Sequence, residues 1–310
     1  MDSQSIFAKL PNELLHEIIQ HAAFADTSSA LALTRVASWV RHIAEPLLYH
    51  TVVLSSAHGV HSFLDALSCK PQTFGSNNVK HLGIFAPGPV DAIDRVLDAC
   101  KGVDSFACGF SLPSYKDSHG CRTVQAMENP REQHLLGLSC RDGWDVGLVG
   151  PSVTHLRVHL GSPQRLPVPQ GDPIDASNLD SLSYLSSLTH LAIVYKPTKQ
   201  RPVTALLPSL MRLVSPSSDG SESPDDDTPR PKLALVLIQV LGTKASQASA
   251  VDALNQAVLA EAGDALRIVA ECAPSSAVCQ WEDAVRGGKG VWDRAEEVVR
   301  QRLAAVQNSA

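Results

Sequence analysis

The sequence predicts an α/β protein: a short N-terminal helical module, residues 8–50, followed over residues 51–310 by an irregular strand–helix solenoid built on a parallel sheet. Three observations predict it. Between Leu10 and Leu48 apolar residues recur at helical spacing. Beyond residue 50 one short template recurs: an apolar residue, two others, a large apolar residue, one spacer and another apolar residue. Helical patterns fill several of the gaps, and alternating short strands and helices imply parallel strands joined by crossovers.

The first helix opens at Pro11, whose fixed φ and missing N–H suit the first helical position, and Glu13 places a negative charge at the positive end of the helix dipole. Leu14, Leu15, Ile18, Ile19 and Ala22 form a broad apolar face, while Asn12, Glu13, Glu17 and Gln20 fill the other side, so something must cover one face. A second helix follows in "SSALALTRVASWVRHIAEP". Ser28 or Ser29 can cap it, Leu33, Val36, Val40, Ile43 and Leu47 recur near helical spacing, and Pro46 should end it at Glu45. Thr51 to Leu54 then reads as a short strand.

Leu10-Pro11 followed by Glu13-Leu14-Leu15 and Ile18-Ile19, then Leu33-x-x-Val36-x-x-Trp39 and Pro46-Leu47-Leu48-Tyr49, resemble an F-box of the form found in large fungal families of F-box-like proteins. The resemblance covers about the first fifty residues. It implies a module that docks on a Skp-type linker protein, and through it on a cullin scaffold carrying a RING subunit and a ubiquitin-conjugating enzyme. The linker-binding residues would be Leu10, Pro11, Leu14, Leu15, Ile18, Val36 and Trp39, in the helix-in-groove mode of recognition. The alternative is that Leu14, Ile18 and Trp39 close a cap over the next domain.

The repeated template appears in "VKHLGIF" from Val79, "VDSFACG" from Val103, "VTHLRVH" from Val153 and "LTHLAIV" from Leu188. Looser copies are "HLLGLS" from His134, "KLALVL" from Lys232 and "ALRIVA" from Ala265, which would place the large apolar position at Leu82, Phe106, Leu136, Leu156, Leu191, Leu233 and Leu266. Helical spacing marks Val60, Phe63, Leu64 and Leu67, then Ile93, Val96, Leu97 and Cys100, then Leu206, Leu210, Leu213 and Val214. The pattern resembles the degenerate leucine-rich repeats that commonly follow an F-box. Drifting unit length, sparse leucines and the lack of a regular Asn leave an irregular α/β sheet domain as the alternative.

His81, His155 and His190 hold the same place in three copies, and alternation points each away from the neighbouring leucine, toward a possible substrate-binding face or an ordinary exposed strand face. Ser215–Lys232 is rich in Pro, Ser and Asp, so a mobile loop is expected at 215–231; Gly161–Ser177 reads as a long connection and Ser111–Glu132 as a weakly periodic surface loop. Near the end, Val291, Trp292, Ala295, Val298, Val299 and Leu303 mark an amphipathic helix expected to cover the last strand, with Trp281 and Trp292 as core or cap residues.

Composition narrows the function classes. With 310 residues, 44% of them hydrophobic, the chain can bury a sizeable core. A charge of −6, from 26 basic and 32 acidic residues without a Lys/Arg block, indicates neither a nucleic-acid nor an anionic-membrane surface. "MDSQSIFAKL" lacks the apolar run of a secretory signal, and Leu233–Leu241 is too short to span a bilayer, so a cytoplasmic or nuclear protein is expected. Seven cysteines without a Cys-x-x-Cys pair suggest reduced, mostly buried thiols rather than disulfides or a zinc site.

Signatures of chemistry are poor. Gly-Lys at Lys289 lacks the rest of a P-loop, His58-x-x-His61 has no nearby third ligand, and no Gly-x-Ser-x-Gly is present. No catalytic, cofactor or metal residues are therefore expected. The sequence reads as a non-catalytic substrate-recognition adaptor of a cullin-RING ubiquitin ligase, binding the linker protein through its F-box and an unknown target protein through its repeat domain. The alternative is a scaffold whose F-box no longer recruits the ligase, and a hydrolase ranks behind both.

Overall fold

The structure, a computed structural model, describes residues 10–120, 122–125, 127, 130–136, 146–160, 182, 185–215 and 233–308. The loop expected at 215–231, apart from Ser215, and the connection at 161–177 lie outside the described residues. It is a mixed α/β fold with one eight-stranded, all-parallel sheet. No helix among the described residues is long and apolar enough to cross a membrane.

Three helices, α1 (Asn12–Ala25), α2 (Thr27–Leu33) and α3 (Ser38–Leu48), pack pairwise around Ala23, Ala30 and Ala44, joined by Leu33, Leu47 and Leu48. Pro11 sits one residue before α1 rather than inside it, and its carbonyl accepts from Leu15 N at 3.1 Å. The single helix expected from Ser28 to Glu45 is two. Asp26, not a serine, caps α2: its carboxylate accepts Ser29 N at 2.8 Å and both the Ser28 and Ser29 hydroxyls. The chain then breaks after Leu33, where Arg41 Nε donates to the Thr34 carbonyl at 2.9 Å, and Val36 turns outward. Nor does Pro46 stop α3, which runs two residues past it. The proline removes one backbone donor in the last turn, while Leu47 and Leu48 pack against the module's core and hold that turn in place.

The strands are β1 (Thr51–Leu54), β2 (His81–Ile84), β3 (Ser105–Cys108), β4 (Glu132–Leu135), β5 (His155–Leu160), β6 (His190–Tyr195), β7 (Leu235–Val240) and β8 (Ile268–Cys272), and their order in the sheet is their order in the chain. Between them lie α4 (Ala57–Ser68), α5 (Phe74–Asn78), α6 (Val90–Ala99), α7 (Leu112–His119), α8 (Arg122–Gln125), α9 (Leu207–Val214) and α10 (Lys244–Glu261). Phe63, Ile93, Tyr115, Val124, Leu210 and Leu254 from these helices join one core with Leu82, Phe106, Leu156, Leu191, Val236 and Ile268 from the strands, so one face of the sheet carries the crossover helices. The stretch expected as a surface loop from Ser111 to Glu132 contains α7 and α8, because Leu112, Tyr115 and Val124 all bury on this face.

The register aligns Leu82, Phe106, Gln133, Leu156, Leu191, Val236 and Ile268 in one row. Leu82, Leu156 and Leu191 thus share a parallel sheet and are fully buried, as expected. The three looser copies are out of step: the row holds Gln133, Val236 and Ile268 where Leu136, Leu233 and Leu266 were expected. Leu233 instead takes the first template position, three residues before the row, which Val79, Val103, Val153 and Leu188 occupy in other copies, all buried. Gln133 is tolerated in an apolar row because its amide donates to Leu148 O at 2.8 Å and accepts from Gly150 N at 3.1 Å.

The opposite face is crossed by the C-terminal segment. Helix α11 (Ala277–Val285) reaches β3, and α12 (Asp293–Gln307) packs on β7 and β8. Trp281 is buried with its indole N–H on Ser105 Oγ at 2.9 Å, its ring against Gly83, and Trp292, Ala295 and Val299 form a second core with Ala192, Leu235, Leu237 and Val269. Both tryptophans are core residues, and the covering reaches well beyond the last strand. At that strand the Asn255 side chain imitates a neighbouring peptide: Nδ2 donates to Ala270 O and Oδ1 accepts from Ala270 N, each at 3.0 Å, and Arg302 donates to Ile268 O at 2.7 Å.

Candidate functional site

Two places draw attention, one on the helical module and one on the sheet. The two adjoining apolar stripes of α1 part company. Ile19 and Ala23 turn inward and Leu15 is half-buried, whereas Leu14 and Ile18, one turn apart, stay 46% and 48% exposed. Pro11 is exposed and Leu10 half-buried. Val36 projects from the turn after α2 and Trp39 from the first turn of α3, 69% and 52% exposed. Phe24 and Leu31, not singled out in the sequence, are exposed as well, although Phe24 meets the His50 ring edge-on at 5.3 Å. Six of the nine exposed large hydrophobic side chains among the described residues therefore lie between Leu14 and Trp39. Isolated exposed apolar side chains are ordinary; large contiguous groups of them are what interaction surfaces are built from.

On the sheet, the row carrying the three histidines runs Thr51, His81, Ser105, Glu132, His155, His190, Leu235. It faces α11 and α12, so His81, His155 and His190 are half-buried rather than open to solvent. His81 stands apart from the other two, edge-on to His50 at 5.0 Å. Burial, with the neighbouring His50, lowers its pKa to about 4. His155 and His190 are register partners, and their rings stack at 4.1 Å and 8° with Trp292 edge-on to both at 5.3 and 5.9 Å. Burial lowers both pKa values, that of His155 to about 4.

Glu132, their neighbour in the row, accepts from Trp292 Nε1 at 2.7 Å, from His134 Nε2 at 2.8 Å and from Ser105 Oγ at 3.3 Å. Burial alone would raise its carboxyl, but the adjacent His134, the Trp292 indole N–H and the nearby His155 hold it down at about 2. A polar chain thus runs from Trp281 through Ser105 and Glu132 to Trp292 and binds the C-terminal segment to the sheet.

Further along this face Arg157 is fully buried and donates to Gln239, whose amide donates to Glu271 at 2.7 Å; Nε and Nη1 of Arg157 have no hydrogen-bond partner among the described residues. Ser105, Glu132 and Glu296 escaped sequence reasoning. The first two were findable, because aligning Pro130-x-x-Gln133 on the template puts Glu132 in the histidine column. Glu296 carries no such signal, being brought to His190 by the fold alone, Oε1 to Nε2 at 3.3 Å.

The thiols follow the expectation only in part. Among the described residues Cys100 and Cys108 are buried, but Cys69, Cys272 and Cys279 are exposed at helix and strand ends or on a helix's wet side. All five are free. His58 and His61 are exposed on α4. No family model, curated protein or solved structure matches this chain.

Proposed function

We propose that the chain is a non-catalytic adaptor of a cullin-RING ubiquitin ligase. Its F-box-like module docks on a Skp-type linker protein and so on the cullin, and its leucine-rich-repeat-like sheet domain receives a protein for ubiquitination. The observation that carries the reading is the concentration of exposed large apolar side chains on α1, the α2–α3 turn and α3, above a module core made largely of alanines. Such residues are what a partner's groove takes up, each worth about 1.5–3 kcal/mol when buried. A cap over the sheet domain would have buried Leu14, Ile18 and Trp39; all three are exposed. His81, His155 and His190 would meet a target only if α11 and α12 left their face of the sheet.

The test is co-purification of the linker and cullin with the full chain. Leu14→Asp with Ile18→Asp places two carboxylates where a desolvated groove would close, which costs several kcal/mol, and recruitment should be lost while the thermal transition stays. Ile19→Asp, inside the module, should instead lower that transition. Undiminished recruitment by the Leu14/Ile18 double mutant would end the reading.

A further inference from the structure

We propose that His155, His190 and Glu296 form a binding site for a first-row divalent transition metal, best matched by zinc, which staples α12 to strands β5 and β6. One ligand atom from each residue lies within 4.8 Å of the other two. Two imidazoles and a carboxylate are a recurrent zinc set, with a fourth position left for water. The inference does not depend on the adaptor reading.

The shell behind the ligands favours a metal over an ordinary ring stack. Thr154 Oγ1 donates its single proton to the Arg131 carbonyl at 3.1 Å, so its 2.8 Å contact with His155 Nδ1 is one in which the ring donates. Thr189 repeats the device, donating to the Thr154 carbonyl at 3.1 Å and meeting His190 Nδ1 at 2.8 Å. Each ring therefore carries its proton on Nδ1 and leaves the Nε2 lone pair free, the tautomer that outer-shell hydrogen bonds select in metal-binding histidines. For His190 that leaves two acceptors, Nε2 and Glu296 Oε1, facing each other at 3.3 Å. A cation between them removes the conflict.

An entry path exists. His190 and Glu296 line a cavity of about 570 Å³ with Leu235, Arg267, Val299 and Leu303. Ligands 2.0–2.1 Å from a tetrahedral zinc stand about 3.4 Å apart, so binding must tilt the two parallel rings toward each other. Glu296 has half its side chain in solvent and can follow.

The test is titration of the metal-free full chain with zinc chloride by calorimetry, with hydrogen exchange read over residues 293–307. One equivalent should bind, slowing exchange in α12 at least tenfold, and a chelator should reverse both effects. His190→Ala and Glu296→Gln should each weaken binding at least 100-fold; the exposed position of Glu296 lets the second variant fold normally. His58→Ala with His61→Ala, which removes two exposed histidines of α4, should bind as the wild type. The proposal is overturned if the wild type takes up no zinc, or if Glu296→Gln and His190→Ala bind as tightly as wild type.

Discussion

The contact between Gly83 and Trp281 gives the strictest test of how the C-terminal segment seats on the sheet. A Cβ built on Gly83 would stand 2.6 and 2.9 Å from two atoms of the Trp281 ring and 2.8 Å from the Phe85 ring edge. Phe85 is half-buried and can swing aside, but Trp281 is 1% exposed and tied to Ser105 by its indole N–H. On an open strand Gly→Ala would gain about 0.5–1 kcal/mol from lost chain entropy; here overpacking of about 1–3 kcal/mol opposes it. Gly83→Ala should therefore destabilise by about 1–2 kcal/mol. Trp281→Leu removes the colliding ring and should cost about 3 kcal/mol for the cavity and the lost hydrogen bond. In that background Gly83→Ala becomes neutral or stabilising, so the double mutant should be better than the sum of the singles by about 1–3 kcal/mol. Guanidinium unfolding of the four proteins measures the coupling. Additivity within about 0.5 kcal/mol would show that α11 does not rest on Gly83 and that the buried face is arranged differently.

Val36→Ser and Trp39→Ala should each change stability by no more than about 0.5 kcal/mol, since both side chains are mostly exposed, yet weaken linker recruitment in a pull-down. Gln133→Ala should destabilise by about 2–4 kcal/mol in chemical denaturation, because it strips the partners from Leu148 O and Gly150 N inside the core. Stability should also fall as pH drops from about 6.5 toward 4. The folded pKa of His81 lies below its unfolded value, so the unfolded chain takes up a proton that the folded chain refuses; its stabilising effect is complete above the unfolded pKa and lost on acidification. Denaturation midpoints at pH 7 and pH 5 should draw closer together in His81→Gln.

Legibility followed locality. Strands β2, β3, β5 and β6 stood out because Val79, Val103, Val153 and Leu188 each precede a large apolar residue by three places, and both are buried on one face. The looser copy at β4 slipped because Gln133, a polar residue satisfied by two backbone groups far along the chain, stands where the pattern demands a hydrophobe. That slip hid Glu132 from the histidine column. The break between α2 and α3 was obscured because Leu33, Val36 and Val40 keep helical spacing across it, and only tertiary packing turns Val36 out. Least visible was the return of the chain across the histidine face. It depends on Trp281 meeting Gly83 and Trp292 meeting Glu132, encounters that no periodicity within either segment encodes.

The Asn255 amide at β8 also bears on how many copies of this fold can stand side by side. A parallel sheet whose strands follow chain order could in principle accept a ninth strand from another molecule, since its last strand presents unpaired peptide groups. Asn255 occupies both polar groups of Ala270, and Arg302 takes the carbonyl two residues earlier. To pair with Ile268 and Ala270, an incoming strand would have to displace a side-chain amide from α10 and a guanidinium from α12. Those two side chains therefore stand where a ninth strand would have to pair, and they oppose edge-to-edge growth of the sheet at Ile268 and Ala270.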